Sequence, residues 1–243
     1  MAEADLMLVD RKLEAEFSFT APSPVNRPSF AIASALPYLV KNARPNTTIV
    51  RAGNAVDSFR IVSVGAVATH HVLDVHSRQI VAIHLPGDCI ALQDLFADRV
   101  RHTVVAVNPV SYLELSIQSV RDLLKRNGNL SQALLAETTT ELSTTQQWLI
   151  SNGRRSAKVK VAYFLCEFVS RLRRETIGDG DRFALPLTQE QLSDCLGLTS
   201  VHVNRVLRAL ENEKLIERNN RSYRILDWKA LADLGGFDKA YMG

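Results

Sequence analysis

The sequence predicts an α+β chain of two domains, with short strands in its first half and helices in its second. At 243 residues it exceeds the usual size of one domain. β-Branched and polar residues alternate from 47 to about 115, as in strands, and apolar residues recur at helical spacing from 116 onward. We expect an N-terminal extension at 1–45, a β domain at 46–128, a long helix with a hinge at 129–153, and a helical domain at 154–243.

Composition limits the classes of protein to which the chain can belong. Hydrophobic residues make up 46%, which is ordinary for a globular core. No run of about eighteen apolar residues exists to span a membrane, and the acidic N-terminus lacks the apolar stretch of a signal peptide. We therefore expect a cytoplasmic protein. The three cysteines lie far apart, so we expect no disulfide framework, no metal site and no cofactor.

The β domain is predicted to follow a proline-rich segment. Three prolines within 21–28 predict a loop, and we expect the extension to be partly disordered at its start. Runs rich in β-branched residues predict strands at 48–50, 59–64, 66–73, 79–85 and 102–107. Many short strands at roughly ten-residue spacing indicate a sandwich or a barrel.

A long helix at 130–150 carries a leucine at every seventh position, with threonines on the intervening seam positions. Such a stripe predicts a parallel dimer seam, whereas a helix packed on its own β domain is the alternative. The Asn-Gly pair at 152–153 predicts the hinge. The predicted dimer interface consists of Leu135, Thr138, Leu142, Thr145 and Leu149.

The segment 187–210, LTQEQLSDCLGLTSVHVNRVLRAL, predicts two helices joined by a glycine turn. Thr188 and Gln191 form a capping box, and Gly197 stands where a helix can end. Thr199 can cap the second helix, whose outward residues are polar. This arrangement favours a helix-turn-helix whose second helix presents Arg205 to the major groove of DNA, although an ordinary helical hairpin has similar spacing.

The last part of the chain adds a predicted hairpin and positive charge. Residues 215–226 read as two short strands, hence a wing beside the helix-turn-helix. From Arg154 onward 16 Lys and Arg face 12 Asp and Glu, an excess that suits phosphate contact. Arg218, Arg221 and Arg224 lie on the wing, where we expect them to contact the DNA backbone. The predicted DNA contacts are Thr188, Gln189, Thr199, Ser200, Val201, His202, Asn204, Arg205, Arg208 and Arg221.

These motifs together resemble the Crp–Fnr superfamily of bacterial transcription regulators. The resemblance rests on L-T-x-E-x-L-x-x-x-L-G-L-T-x-x-x-V-x-R-x-L at 187–207, on the P-G-D turn at 86–88, and on RSAKVKVAYFL at 155–165. It implies a jelly-roll sensor domain, a long central dimerisation helix and a C-terminal winged helix-turn-helix. It further implies a homodimer on a near-palindromic double-stranded DNA site, with RNA polymerase as a further partner.

At the family's base-reading positions this chain has Ser200, Val201 and Arg205. The family's glutamate is replaced by Val201, which cannot accept a hydrogen bond from cytosine and would contact a thymine methyl instead. The resemblance therefore implies an altered half-site.

The sensor half departs further from cyclic-nucleotide-binding members of the family. Leu92 stands where those members have the ribose-binding acid, and His102, followed by Thr103, stands where they have the phosphate-binding arginine. A cyclic phosphate would lack its main partners, so we do not expect control by cyclic AMP. Thr145 falls near the family's ligand-facing hydroxyl, so a pocket for another effector remains possible. No cysteine precedes Cys89, which excludes the N-terminal cluster of iron–sulfur members.

Two functional hypotheses follow. The first is a sequence-specific DNA-binding regulator acting through 188–210. The alternative is a ligand- or haem-sensing module whose helix-turn-helix serves protein interaction; steep salt dependence of duplex affinity would separate the two. No Ser/His/Asp spacing, paired-carboxylate motif or phosphate loop points to an enzyme.

Overall fold

The computed structural model describes residues 27–74, 77–174 and 182–242. The disorder predicted at the start of the chain falls outside these residues. The described chain folds into a β domain, a long helix and a helical domain with a small sheet, so the predicted α+β class is confirmed. Within the described residues no helix is both long and apolar enough to cross a membrane.

The β domain is a jelly roll of two antiparallel four-stranded sheets, with strand orders β1-β8-β3-β6 and β2-β7-β4-β5. Alternate residues of β3 point to opposite faces. Ile61 packs toward the helices and Val62 packs between the sheets, and both are fully buried. The strands are β1 Tyr38–Ala43, β2 Thr48–Val50, β3 Ser58–Val64, β4 Val67–Asp74, β5 Ser77–His84, β6 Cys89–Ile90, β7 Thr103–Ala106 and β8 Val110–Ser116.

The start of the sensor domain differs from the sequence-based boundary. The range 1–45 was expected to be an extension, but β1 lies within it and pairs along its whole length with β8. Tyr38, Leu39 and Val40 are all exposed on this edge strand, so no alternation of buried and exposed residues marks it as a strand. A helix before it, α1 Pro28–Ala35, buries Ile32 against the same domain.

Two helices follow the β domain and lead to a third, which is the first helix of the C-terminal domain. They are α2 Ile117–Arg126, α3 Gly128–Arg154 and α4 Ala157–Arg174. The hinge predicted at 152–153 is wrong by a few residues, because Gly153 continues α3 and the break falls at Arg155 and Ser156. Glycine has a low helix propensity. Ser151 is buried and Asn152 hydrogen bonds to the helical domain, and these neighbouring contacts keep the chain helical at Gly153.

The C-terminal domain is a winged helix-turn-helix packed around α4. Its remaining elements are β9 Arg182–Ala184, α5 Gln189–Leu196, α6 Ser200–Asn212, β10 Ile216–Asn219, β11 Ser222–Ile225 and α7 Trp228–Gly235. The predicted wing is the β10–β11 hairpin, and β9, which the sequence did not predict, completes the sheet. Gly235 lets α7 approach α4 closely, since a Cβ there would lie 2.8 Å from the backbone nitrogen of Tyr163. A short 3₁₀ turn, Lys239–Met242, then returns to α3.

Candidate nucleic-acid interface

The ends of α5 and α6 are fixed by the caps that the sequence predicts. The hydroxyl of Thr188 accepts from the backbone N–H of Gln191 at 3.1 Å, and the Gln191 side chain accepts from the Thr188 N–H at 2.8 Å. Gly197 ends α5 in the left-handed region at φ 60°. The hydroxyl of Thr199 accepts from the N–H of His202 at 3.2 Å and starts α6.

The two helices cross at a small buried residue, Ser193. Its hydroxyl lies 2.7 Å from the carbonyl oxygen of Glu190, to which it donates, and 3.3 Å from the hydroxyl of Ser200. On the inner face of α6, Val203 and Leu207 are fully buried. This packing fixes the orientation of α6 and leaves its opposite face to solvent.

The outer face of α6 carries the side chains that were predicted to read bases. Val201 is 82% exposed, a high value for an apolar residue, and Arg205 and Arg208 are exposed as well. His202 is half-buried, and Arg221 is exposed beside the turn of the wing. An exposed apolar side chain next to exposed guanidinium groups can contact a thymine methyl while the cations contact bases or phosphates.

Asn204 has a second role that the sequence did not reveal. Its amide nitrogen donates to the side-chain oxygen of Gln189 at 2.8 Å, and its oxygen accepts from Arg218 at 3.3 Å. Arg218 also donates to Glu211 at 3.2 Å and is only 14% exposed. Asn204 therefore joins α5, α6 and the wing, while Arg218, expected to touch DNA, braces the wing against α6. Base contact by Asn204 stays a prediction.

The sensor domain holds the other end of α5. The side-chain nitrogen of Gln79 in β5 donates to the carbonyl oxygens of Asp194 and Cys195 at 2.6 and 3.2 Å, and Asn152 donates to Cys195 at 3.1 Å. The last carbonyls of a helix have no partner within it, so these bonds satisfy groups that would otherwise be unpaired. Arg78 adds an ion pair to the Asp194 carboxylate at 2.5 Å.

The cysteines are packing residues in this structure. Cys89, Cys166 and Cys195 are all buried, and no disulfide joins any two of them. Burial raises the pKa of the Cys195 thiol, and the nearby Asp194 carboxylate adds to the effect. A thiol held in its protonated form is a poor nucleophile, which favours the packing interpretation over redox sensing.

Only two of the four residues predicted to form an effector pocket come together in the structure. His102 contacts His71, with Nδ1 and Nε2 2.6 Å apart, and the Thr103 hydroxyl accepts from the N–H of Ala52 at 3.2 Å. Leu92 and Thr145 instead line a separate cavity. In the described part of the chain no three His, Cys, Asp or Glu side chains form a group able to hold a metal ion.

The cavity has a volume of about 410 Å³ and lies between β5, α3 and α4. Two of its lining residues, Leu92 and Thr145, were among the four predicted for an effector pocket, whereas most of its walls come from segments far apart in the chain and were not predicted. Its lining includes Val81, Ile83, Glu137, Glu141, Trp148 and Met242.

One side of this cavity is an ion-pair cluster centred on Asp88. Its carboxylate accepts from Arg27 at 2.6 Å, from Arg171 at 2.8 Å and from the N–H of Leu85 at 2.7 Å. Burial opposes ionisation, but the guanidinium groups of Arg171 and Arg27 outweigh it and lower the pKa of Asp88 to about 2. The P-G-D turn is thereby tied to α4 of the other domain.

The cluster continues into the helical domain. Arg171 also donates to the carbonyl oxygen of Ile83 at 2.6 Å and lies 3.8 Å from Glu167. Glu167 is 2% exposed and accepts from the indole N–H of Trp148 at 2.6 Å. Burial raises the pKa of Glu167 and also that of Glu141, which stands on α3 beside the cavity.

Two family models match the chain, one for each domain. A cyclic nucleotide-binding domain matches residues 40–127, and a Crp-like helix-turn-helix domain matches residues 159–234. The second match spans α5, α6 and the wing, where the DNA contacts were predicted.

Curated relatives match over most of their length. The nitrogen fixation regulation protein FixK of Rhizobium meliloti (strain 1021) is 31% identical over 204 residues, which cover 82% of this chain and 88% of the relative. The transcriptional activator protein FnrA of Stutzerimonas stutzeri is 27% identical, with coverage of 83% and 84%. Among solved structures, FixK2 from Bradyrhizobium japonicum superposes with a TM-score of 0.75 at 26% identity, covering 82% of this chain and 98% of that one.

Proposed function

Because the chain belongs to the Crp–Fnr family of DNA-binding transcription regulators, we propose that two copies read a near-palindromic duplex through the helix-turn-helix at 188–210. The observation that carries this proposal is the outer face of α6, where Val201 and Arg205 stand exposed on a helix braced on three sides. Each recognition helix would enter one of two successive major grooves.

The proposed dimer seam runs along α3. Leu135, Leu142 and Leu149 are 66%, 57% and 73% exposed, and they recur at the spacing of a coiled-coil stripe. The hydroxyls of Thr138 and Thr145 donate to carbonyls of their own helix at 2.9 Å. These threonines can therefore enter an apolar seam without leaving a donor unpaired.

Base reading is assigned to two side chains. Arg205 can donate two hydrogen bonds to O6 and N7 of guanine, and Val201 can pack on a thymine methyl. Glutamate in place of Val201 would instead accept from cytosine. The half-site of this protein should therefore carry thymine where a glutamate-bearing reader selects cytosine.

We further propose that cyclic AMP does not control this regulator, that it acts in the cytoplasm where bacterial DNA lies, and that RNA polymerase is a second partner. The positions implied for binding the ribose and the cyclic phosphate carry Leu92 and His102, respectively, and His102 contacts His71. The named relatives are transcriptional regulators, which supports a non-enzymatic role and the polymerase contact. We also propose that the protein works without a resident cofactor.

Selection of bound duplexes from a random pool by the purified protein tests the function directly. We expect enrichment of a palindromic motif and a steep fall of affinity with salt, as phosphate neutralisation requires. Arg205→Ala should weaken binding to the selected site by about 1–3 kcal/mol and relax one base position. Lys125→Ala, on the exposed surface of α2, is the matched control. Unchanged affinity after Arg205→Ala, or failure to enrich any duplex, would contradict the proposal.

A further inference from the structure

We infer that Arg218 of the wing fixes the side-chain amide of Asn204 in the orientation in which it meets DNA as a hydrogen-bond donor. The inference rests on the proposed function and deepens it, because it names the bases that Asn204 accepts. Arg218 is thereby assigned as a positioning residue, which acts on base selection through its contact with Asn204.

Asn204 lies on the base-reading face of α6. It follows Val201 by three positions and precedes Arg208 by four, so the three residues share one side of the helix. Val201 and Arg208 are exposed, whereas Asn204 is half-buried. Two neighbours contact its amide group, Gln189 of α5 and Arg218 of the wing. Asn204 can therefore offer a base only those amide atoms that these neighbours leave free.

The contact with Gln189 does not by itself fix the orientation of the Asn204 amide. The Asn204 nitrogen donates to the Gln189 side-chain oxygen at 2.8 Å, and the Gln189 nitrogen donates back to the Asn204 oxygen at 3.4 Å. Each amide has two N–H donors and one oxygen, so turning both amides over would form an equivalent pair. A third group must decide between the two arrangements.

Arg218 is that third group. Its guanidinium donates to the Asn204 oxygen at 3.3 Å, and a guanidinium has donors but no acceptor. Turning the Asn204 amide over would place two donors against each other at this contact. Arg218 is itself held in place, because it also donates to the Glu211 carboxylate at 3.2 Å and is only 14% exposed. The wing therefore selects the arrangement in which the Asn204 oxygen faces Arg218.

This arrangement leaves Asn204 with a donor for DNA. Its oxygen accepts from both Arg218 and Gln189, which accounts for the two lone pairs of that oxygen. Its nitrogen has two N–H groups and, among the described residues, one acceptor, the oxygen of Gln189. One N–H is thus left for a base. Asparagine pairs with adenine through both its oxygen and its nitrogen, and here the oxygen is already engaged.

A lone donor distinguishes the bases by the atoms at their major-groove edges. The polar atoms of guanine (N7 and O6) and of thymine (O4) are acceptors only. Cytosine offers only the N4 donor, and adenine offers one acceptor and one donor. The base that faces Asn204 should therefore be guanine or thymine, and cytosine should be rejected most strongly.

Duplex selection with the full-length Arg218→Met variant tests the inference. Methionine removes the donors to Asn204, so the freed oxygen and the remaining N–H of Asn204 should bind adenine together. Adenine should rise about tenfold at one half-site position. Adding Asn204→Ala to Arg218→Met should abolish this rise. Weaker binding of all duplexes with an unchanged consensus would overturn the inference, since Arg218 would then only brace the wing. An adenine gain that persists without Asn204 would overturn it as well.

Two further wing variants separate orientation from charge. Arg218→Lys keeps a positive side chain that can only donate, so it should restore the unmodified consensus. Arg221→Met removes an exposed arginine from the turn of the same hairpin and should weaken binding of all sequences alike. An adenine gain in Arg221→Met equal to that in Arg218→Met would attribute the effect to lost charge and overturn the inference.

Asn204→Asp tests the same orientation with Arg218 in place, and so covers the case in which circular dichroism shows that Arg218→Met does not fold. A carboxylate only accepts, so the preference at that position should move to cytosine by about tenfold. Continued rejection of cytosine would overturn the inference. Failure of the unmodified protein to enrich any duplex would contradict the proposed function itself, whereas an enriched consensus that neither variant moves would overturn this inference alone.

Discussion

The helix-turn-helix and the sensor domain both keep the architecture of the family, but the sensor domain departs further from the family's sequence pattern. In the helix-turn-helix, the caps, the turn and the exposed readers all lie within 187–210, and only one base-reading position departs from the family pattern. In the sensor domain the jelly roll is kept, but the phosphate-binding positions have changed and the main cavity lies against α3 and α4. The main DNA contacts depend on a short local segment, whereas the cavity depends on side chains gathered from several elements.

The largest predicted effect comes from separating the dimer, which should weaken DNA binding while leaving the DNA-contacting surface of each subunit unchanged. Leu142→Arg places a charge in the proposed seam of α3 and should separate the dimer. Loss of the second half-site should weaken duplex binding by about 10²–10⁴-fold, since the two readers then no longer act together. Sedimentation velocity and fluorescence anisotropy on the selected duplex measure both effects. Ser143→Arg, one residue away on another face, is the control. A monomeric variant with full affinity would contradict the dimer.

A second change tests the buried cluster of the sensor half. Asp88→Asn removes the carboxylate charge that Arg27 and Arg171 share, and with it one ion pair of each guanidinium group. The free energy of unfolding at pH 7, measured by urea denaturation, should fall by about 2–3 kcal/mol. Asp122→Asn, which removes an exposed carboxylate, should change it little. Equal stability of Asp88→Asn and the unmodified protein would show that the cluster does not tie the domains together.

The same variant predicts a pH dependence. The folded pKa of Asp88 is about 2, below the value near 3.9 of an unfolded aspartate. The stabilisation by this carboxylate is therefore complete above pH 5 and is lost as the pH falls toward 2. The difference in unfolding free energy between the unmodified protein and Asp88→Asn should shrink over this interval. A difference that stays constant down to pH 2 would refute the assigned ionisation.

The smallest predicted effect sharpens the account of base reading. Val201→Glu restores a side chain that accepts from cytosine and should move the preference at one half-site position from thymine to cytosine by about tenfold. Repeating the duplex selection with this variant measures the shift, and Val201→Ala, which only shortens the side chain, should weaken the preference without reversing it. The same consensus from Val201→Glu and the unmodified protein would remove Val201 from the list of readers.

Features formed by residues close together in the sequence were predicted, whereas features formed by residues far apart were not. The capping box and the Gly197 turn depend on residues within a few positions, so the local pattern specifies them. The contact between Gln79 and α5 joins residues more than a hundred positions apart, and no local pattern announces it. Strand β1 was missed for a different reason, since an exposed edge strand shows no alternation.

The buried charged residues of the helical domain were also not predicted from the sequence. Glu167 and Arg171 stand four apart in a strongly apolar helix, which is a detectable signal for paired charges in a core. The sequence alone could not supply their partners, because Asp88 and Trp148 come from the P-G-D turn and α3. The cavity also depends on contacts between segments far apart in the sequence.

The most direct test of the contrast between an intact reader and an altered sensor is duplex affinity with and without cyclic AMP. The purified protein and the selected palindromic duplex are titrated by fluorescence anisotropy at fixed salt, first alone and then with saturating cyclic AMP. We predict tight binding in the absence of the nucleotide and no change when it is added. Binding that appears only with cyclic AMP would contradict the account, because it would require the ribose and phosphate contacts that Leu92 and His102 do not provide.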